Sequence, residues 1–586
     1  MCFKKLGTDD LRTLLKEIYK DQSAEFIDLV LSQLMQILKE NNHIYQDSNF
    51  QYHLWDTNSV VLITYPDAVY FPGKPTLKVL NELLVNYLGN LSEIVHILPF
   101  LLSTSDGGFA VSSLEKIDPK FGNWEDIKSI SDHKKVMADV VLNHVSSSHS
   151  WIEEFIKDKR PSSNYILSPS SNEDWSNVFR PRDTALFTSL KTVNGERNVW
   201  TTFGPDQIDV NWKEPYLLIE YLNLIVRYIN SGVSWLRLDA VGFIWKTSGT
   251  NCLHQEEAHK IVKIIRILLN SLRKGSILIT ETNVPEKENL SYLIPGDESN
   301  MAYNFPLPPL VLESIISNKC DLLNQWLMHW PSLPRNTLLL NFTACHDGIG
   351  LIPLKGLMSK ERIDKLLSAC EVKGGLVSHR LMPDGKEEPY ELNISWWSAM
   401  KNVDDKLDTL QSKRFLLSQL IVLALPGIPA FYLQALMASE NDWDTFHQTG
   451  QRRDLNRKRF DAYDLFEKLN NPESVSSRNI KYLQKVVDIR SKLNAFNPEE
   501  KMKNIPIRIN DVVAFSRGAG EEKVWIIHNF TEQPYDFSLF DLKIEEDFIF
   551  NNEWKDCLAD KLISNSRFEL KPYSVVWLKR TKYSKS

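Results

Sequence analysis

Eight short apolar runs punctuate this chain, and most of the stretches between them carry helical periodicity. The runs are VVLITY (60–65), VHILPF (95–100), VMADVVLNH (136–144), VSWLRLDAV (233–241), ILITET (277–282), AYNFPL (302–307), LLLNFTA (338–344) and ALPGIPAFYL (424–433). Each has the length and bulk of a buried strand. Segments such as HKIVKIIRILLNSLRK (259–274) repeat apolar residues at three- and four-residue steps. Strands joined by such segments pair in parallel, with the helices as crossovers. Eight units close a (β/α)8 barrel, so the expected fold is α/β of the TIM-barrel class.

Four of these runs lead into polar residues able to do chemistry: VMADVVLNH, VSWLRLDAVGF (233–243), ILITETNV (277–284) and LLLNFTACHDG (338–348). The carboxyl ends of barrel strands are where such a fold keeps its active site. Three carboxylates emerge there: Asp239, Glu281 and Asp347. Arg237 and Asp239 are two residues apart on one strand and therefore share a face. A guanidinium in that position holds the carboxylate ionised and oriented. His144 and His346 stand at two of the other strand ends, where they would donate to hydroxyls or to a carboxylate.

A chain of 586 residues accommodates one large barrel with appendages. A net charge of −7 speaks against a nucleic-acid-binding surface, which is normally basic. No stretch approaches the ~20 apolar residues of a membrane span. The first 22 residues lack an uninterrupted apolar core and do not read as a secretory signal. Six scattered cysteines, none in a CxxC pair, are expected to be reduced thiols in a cytoplasm rather than disulfides or a zinc site. Nothing in the sequence specifies an oligomer.

Residues 1–56 are expected to form a helical extension on the outside of the barrel. In 23–40, Phe26, Ile27, Val30, Leu31, Leu34, Ile37 and Leu38 recur at helical spacing. The barrel takes 57–502, with insertions at about 145–210 and 355–400, after the third and seventh strands. Loops of that length are usually functional. Residues 503–586 turn to short alternating runs (VVAFSRG, KVWIIHNF, SVVWLKR) and read as a small antiparallel β domain.

The order and spacing of the four strand-end motifs resemble those of the α-amylase clan of retaining glycoside hydrolases and transglycosidases (glycoside hydrolase family 13). RLDAVGFIWKTSGTNCLH (237–254), TETNVPEKENLSYL (280–293), CHDGIGLIPLKGLM (345–358) and FRPRDTALFT (179–188) are similar to its sucrose-phosphorylase subfamily. ETNVP and GGLVSHRLMPDGKEEPYELN (374–393) look most like the branch containing glucosylglycerate, glucosylglycerol and sucrose 6-phosphate phosphorylases. The resemblance runs from about residue 57 to 582.

It implies a retaining phosphorylase that converts an α-D-glucoside and inorganic phosphate to α-D-glucose 1-phosphate. Asp239 would be the nucleophile, Glu281 the acid/base and Asp347 the carboxylate that holds sugar hydroxyls. It further implies that Asp106 and Phe109 in SDGGF, Tyr65 and Asp67 in TYPD, and Arg453 and Asp454 in QRRDLNR surround the glucosyl group. Arg180 and Arg182 in FRPR, Asn283, Tyr390 and Glu391 would line the acceptor and phosphate side. Members acting on sucrose commonly carry Gln where this chain has Glu391, which disfavours plain sucrose. Lys373, His379, Arg380 and Lys386 are candidates for reading an anionic acceptor, or a solvated face. Asn143 resembles a residue that binds structural calcium in many clan members, but this subfamily generally does without the ion. No metal and no organic cofactor is demanded. An α-glucosidase or transglucosidase, and a non-catalytic amylase-like binding subunit, are the alternative readings.

Overall fold

A computed structural model describes residues 8–41 and 54–581, apart from 171, 383, 384, 406, 508, 510, 564 and 565. All eight apolar runs contribute strands: β1 (Val61–Thr64), β2 (Ile94–Ile97), β3 (Lys135–Val141), β4 (Val233–Asp239), β5 (Ile277–Thr280), β6 (Met301–Tyr303), β7 (Leu338–Asn341) and β8 (Ile428–Tyr432). They close a barrel in which every strand pairs in parallel with its neighbours in sequence, and β1 pairs with β8. Strands covered on both faces show continuous burial rather than alternation. Every residue of β1, β4, β5, β7 and β8 is buried. The first four residues of the eighth run belong instead to a helix end and the turn that follows it.

The outer helices follow from their apolar spacing. The N-terminal extension forms α1 (Thr8–Ile18) and α2 (Ala24–Asn41), with Leu11, Leu15, Ile18, Ile27, Val30, Leu31, Leu34 and Leu38 buried. These two pack on α3 (Leu217–Asn230) and α4 (Glu256–Leu272), the helices flanking β4. Phe26 meets Tyr216 edge-on at 5.3 Å, and Lys260 pairs with Glu17 at 3.1 Å. Helix α3 is tied to the barrel by two phenols: Tyr221 and Tyr228 donate to the backbone carbonyls of Val141 and Asp139 on β3, each at 2.9 Å. That anchorage fixes the strand pair on which the site is built.

The segment after β3 carries a short helix (Ser150–Ile156) and an antiparallel hairpin (Phe187–Thr192 with Gly195–Trp200). The segment after β7 carries a helix (Lys360–Val372) and a second hairpin (Leu376–Leu381 with Glu387–Asn393). Beyond the barrel, Val512–Arg517, Val524–Asn529 and Val575–Thr581 belong to a six-stranded antiparallel sheet. Among the described residues no helix is long and apolar enough to cross a membrane, and the five described cysteines are free.

Candidate active site

The site is organised around a buried guanidinium. In β4, Arg237 and Asp239 point the same way, and the register places Arg237 opposite Asp139 of β3 and Ile279 of β5. Arg237 donates to Asp139 and, at 2.8 Å, to Asp239 Oδ1; its other terminal nitrogen is 3.9 Å from Glu281 Oε2. Glu281 continues the β5 register beyond the strand, its N–H donating to the Leu238 carbonyl. Its carboxylate accepts from the Ala240 N–H at 3.1 Å. Two carboxylates on adjoining strands are thus held by one cation.

Burial raises the proton affinity of both. Arg237 opposes the rise in each, while Glu281 and Asp139 add to it at Asp239, and Asp347 adds to it at Glu281. The guanidinium contacts Asp239 more closely than Glu281, and so opposes the rise more directly at Asp239. Asp139 behaves oppositely: burial alone would raise it, but His96 (2.8 Å) and Arg237 outweigh that and hold it at about 2.

Asp347 forms the third corner. Arg453 contacts it at 2.6 Å and clasps Glu391 at 2.6 and 3.0 Å. Burial would raise Asp347, yet the charges of Arg453, Arg237 and Arg457 hold it far below the usual carboxylate range. His346 Nε2 lies 3.5 Å from it, and burial pushes that imidazole down to about 3, so it is neutral at pH 7. Phe109 stacks on His346 with centroids 5.2 Å apart. Gln207 donates to Asp106 at 3.2 Å and meets His144 Nε2 at 3.1 Å, while Arg457 approaches Asp106 at 3.7 Å. One cavity is lined by Asp239, Glu281, Asp347, Asp106, Phe109, His144, Arg237, His346, Arg453, Asn283, Arg182 and Tyr390. The structure therefore brings twelve of the anticipated site residues to a single cavity.

Others do not line it. The Arg180 guanidinium turns back to the carbonyl of Thr184 in its own loop. Glu391 is buried behind the wall, where it holds Arg453 and accepts from the Gly348 N–H at 3.1 Å. Their neighbours Arg182 and Tyr390 face in instead. Asp454 also turns away and accepts from Thr449 Oγ1 at 2.6 Å. The turn Arg452–Asn456 is a 3-10 segment, so residues three apart share a face; Arg453 and Asn456 point inward and Asp454 does not. Asp67 pairs with Arg459 at 2.9 Å outside the cavity. Tyr65 sits beneath the lining, edge-on to His346 at 6.1 Å. Of the cations suggested for an anionic acceptor, Lys373 donates to the Ala399 carbonyl at 2.8 Å and Arg380 pairs across its hairpin with Glu388. Neither these nor His379 and Lys386 line the cavity.

Sequence reasoning missed Asp139, Gln207, His254 and Arg457. Asp139, His254 and Arg457 lay inside motifs already singled out; Gln207 carried no signal beyond polarity.

The place of Asn143 does not suit a divalent ion. Its Oδ1 accepts from Lys246 Nζ at 3.0 Å, and the same ammonium pairs with Asp209 at 2.8 Å and reaches the Phe243 carbonyl. Lys246 and Asp209 are both buried, so the cage carries its own cation. Among the described residues, Cys345, His346 and Asp347 form the one cluster of suitable side chains close enough to share a metal. That donor set is a poor one: Asp347 is committed to Arg453, and burial pushes the Cys345 thiol far up.

The α-amylase catalytic-domain family matches residues 83–373. The chain is 36% identical over 528 residues to the glucosylglycerate phosphorylase of Allomeiothermus silvanus, covering 89% of this chain and 91% of that protein. It is 32% identical to the glucosylglycerate phosphorylase of Escherichia coli, covering 90% and 92%. The crystal structure of sucrose 6F-phosphate phosphorylase from Thermoanaerobacter thermosaccharolyticum superposes with a TM-score of 0.69 at 26% identity, over 81% of this chain and 94% of that one. The closed barrel, the carboxylates at its strand ends and these near full-length relationships place the chain in the α-amylase family of glycoside hydrolases, within its sucrose-phosphorylase group.

Proposed function

We propose that this chain is a retaining glucosylglycerate phosphorylase: α-D-glucosylglycerate and phosphate give α-D-glucose 1-phosphate and glycerate. The observation that carries the reading is the placing of two carboxylates beside one guanidinium, with an unpaired arginine in the same cavity. Arg182 lines the cavity and makes no ion pair among the described residues. A phosphorylase must favour phosphate over water, and a guanidinium is a suitable anion partner. Near full-length similarity to two glucosylglycerate phosphorylases supports the finer assignment.

In the proposed mechanism, Asp239 attacks the anomeric carbon while protonated Glu281 gives its proton to the departing glycerate oxygen. Phosphate then attacks the glucosyl–Asp239 ester from the opposite face; Glu281 takes the phosphate proton, and Asp239 leaves as a carboxylate. Two inversions give net retention. Asp347, Asp106, His144, His346 and Arg453 bind the glucosyl hydroxyls, and Arg182, Asn283 and Tyr390 line the acceptor and phosphate side. The division into an N-terminal extension (1–56), a barrel (57–502) and a C-terminal β domain (503–586) belongs to the same reading, as does a cytoplasmic setting.

The test is phosphate release from α-D-glucose 1-phosphate with a panel of acceptors: glycerate, glycerol, fructose, fructose 6-phosphate and glucose. Release that depends on glycerate is expected. Release with no acceptor, or none alongside hydrolysis of a simple α-glucoside, would replace the phosphorylase with an α-glucosidase.

A further inference from the structure

His254 is used in none of those steps, yet it is built into the cavity wall. It follows β4 in a loop where Cys252 and His254 both have left-handed backbones, with φ of 54° and 52°, a region that residues bearing a Cβ rarely occupy. A Cβ at Gly242 would come within 2.7 Å of the His254 ring, so the missing side chain makes room for the imidazole. Something in the fold holds this ring in place against both constraints.

That support can be followed atom by atom. His254 Nδ1 lies 3.0 Å from the Tyr292 hydroxyl. Tyr292 is fully buried, and burial keeps its phenol protonated far beyond the usual range. Behind it, His259 stacks on the phenol ring at 4.2 Å and pairs with Glu298 at 2.7 Å. A buried O–H that donates to nothing is costly, and His254 Nδ1 is the acceptor within reach. The phenol therefore donates to Nδ1. Burial, aided by His259, pushes His254 down to about 4, so the imidazole is neutral at pH 7 and its proton resides on Nε2. Nε2 is buried with no hydrogen-bond partner; the nearest carboxylate, half-exposed Glu288, is 3.9 Å away and beyond bonding distance. The same cavity is lined by Asn283, whose Oδ1 is also unpartnered, and by Arg182.

We propose that His254 Nε2–H and Arg182 together bind the carboxylate of a small hydroxy-acid acceptor, so that His254 determines acceptor specificity and Tyr292 is its positioning residue. The proposal rests on the phosphorylase reading. An oriented neutral donor beside a guanidinium favours a carboxylate over a hydroxyl, because the acceptor oxygens then meet both charge and a fixed N–H.

The experiment compares wild type, His254→Ala, His254→Gln and Tyr292→Phe in the synthetic direction, with glycerate or glycerol as acceptor. His254→Ala is expected to raise the KM for glycerate about tenfold or more, with the KM for glucose 1-phosphate and the melting temperature nearly unchanged. Glycerol use should suffer less. His254→Gln, whose amide N–H can take the place of Nε2–H, should recover most of the loss. Tyr292→Phe should raise the KM for glycerate with little effect on kcat. Parallel losses for glycerate and glycerol, or an unchanged glycerate KM in His254→Ala, would overturn the proposal. Calorimetric titration of glycerate separates the two readings. Lost affinity in His254→Ala without phosphate release from any variant keeps the binding role and removes the phosphorylase. Glycerate-dependent release that is insensitive to His254→Ala does the reverse.

Discussion

Arg237 is 1% exposed, and a guanidinium so deep in a barrel is tolerable only if its charge is matched. Asp139 matches it from β3, Asp239 shares the same terminal nitrogen, and Glu281 approaches the other one. This arrangement separates stability from chemistry. Asp239→Asn leaves the Asp139–Arg237 pair intact while deleting the proposed nucleophile. We expect turnover to fall by about 10³-fold or more, with a melting temperature close to that of the wild type. Phosphate release from glucose 1-phosphate and a thermal melt check both halves; activity within about tenfold of wild type would remove the nucleophile assignment. Residue-scale chemistry was legible where it sits on strands: Asp239, Glu281 and Arg237 project as their alternation requires. It was less legible in loops, where Arg182 faces in and Arg180 folds back onto Thr184.

At the level of elements, the barrel is joined to the C-terminal sheet through a helix end. Helix α5 (Gln411–Ala424) leads into β8, and its last carbonyls have no partners of their own along the helix. Two buried arginines supply them. Arg490, from α6 (Val475–Ser491), donates to the Leu423 carbonyl at 3.0 Å, and Arg517, from the sheet, donates to that of Ala424 at 2.7 Å and that of Asn497 at 2.8 Å. Neither arginine pairs with a carboxylate among the described residues; burial lowers Arg490 to about 10 and Arg517 to about 9. The helix C-terminus, with its partial negative charge, takes the place of a counter-ion. Arg517→Met should cost about 1–3 kcal/mol, because it orphans the buried carbonyl of Ala424. The contact lies at the end of the barrel opposite the strand C-termini, so KM and kcat should be unchanged. A melt and a kinetic assay on the same preparation decide it; a large loss of kcat in folded protein would show that the joint reaches the site. The helices themselves were readable, because an apolar stripe is a local pattern. Their arginine partners, 67 and 93 residues away, were not.

Across the whole molecule, acid acts through opposed groups. His149 and His254 sit at about 4 and His346 and His528 at about 3, all through burial. Above pH 6.5 these imidazoles are neutral whether folded or unfolded. As the pH falls from there toward their folded values, the unfolded chain binds protons that the folded chain does not, and stability is lost. The raised carboxyls Asp239 and Glu281 work in the other direction, so the net slope is a difference. One histidine away from the site isolates its own term. His528, buried in the C-terminal sheet against Phe515, is suited to this. The stability of His528→Leu relative to wild type should rise as the pH is lowered from 7 toward 4, by at most ~1.4 kcal/mol per unit below 6.5. Melting temperatures across that range check it, and a pH-independent difference would show that His528 is not kept neutral by folding. By itself, the sequence determined the eight-stranded barrel, the helices around it, and the strands at whose ends three carboxylates stand. Periodicity and chain direction are local properties, and a strand end must face the barrel mouth once the barrel closes. Only the tertiary structure decided which loop residues converge there: Arg453 inward and Asp454 outward, Glu391 behind the wall, Lys246 in the cage of Asn143 and Asp209, and His254 held by Tyr292. A loop side chain points where its backbone torsions and distant neighbours send it, and neither is written in spacing along the chain.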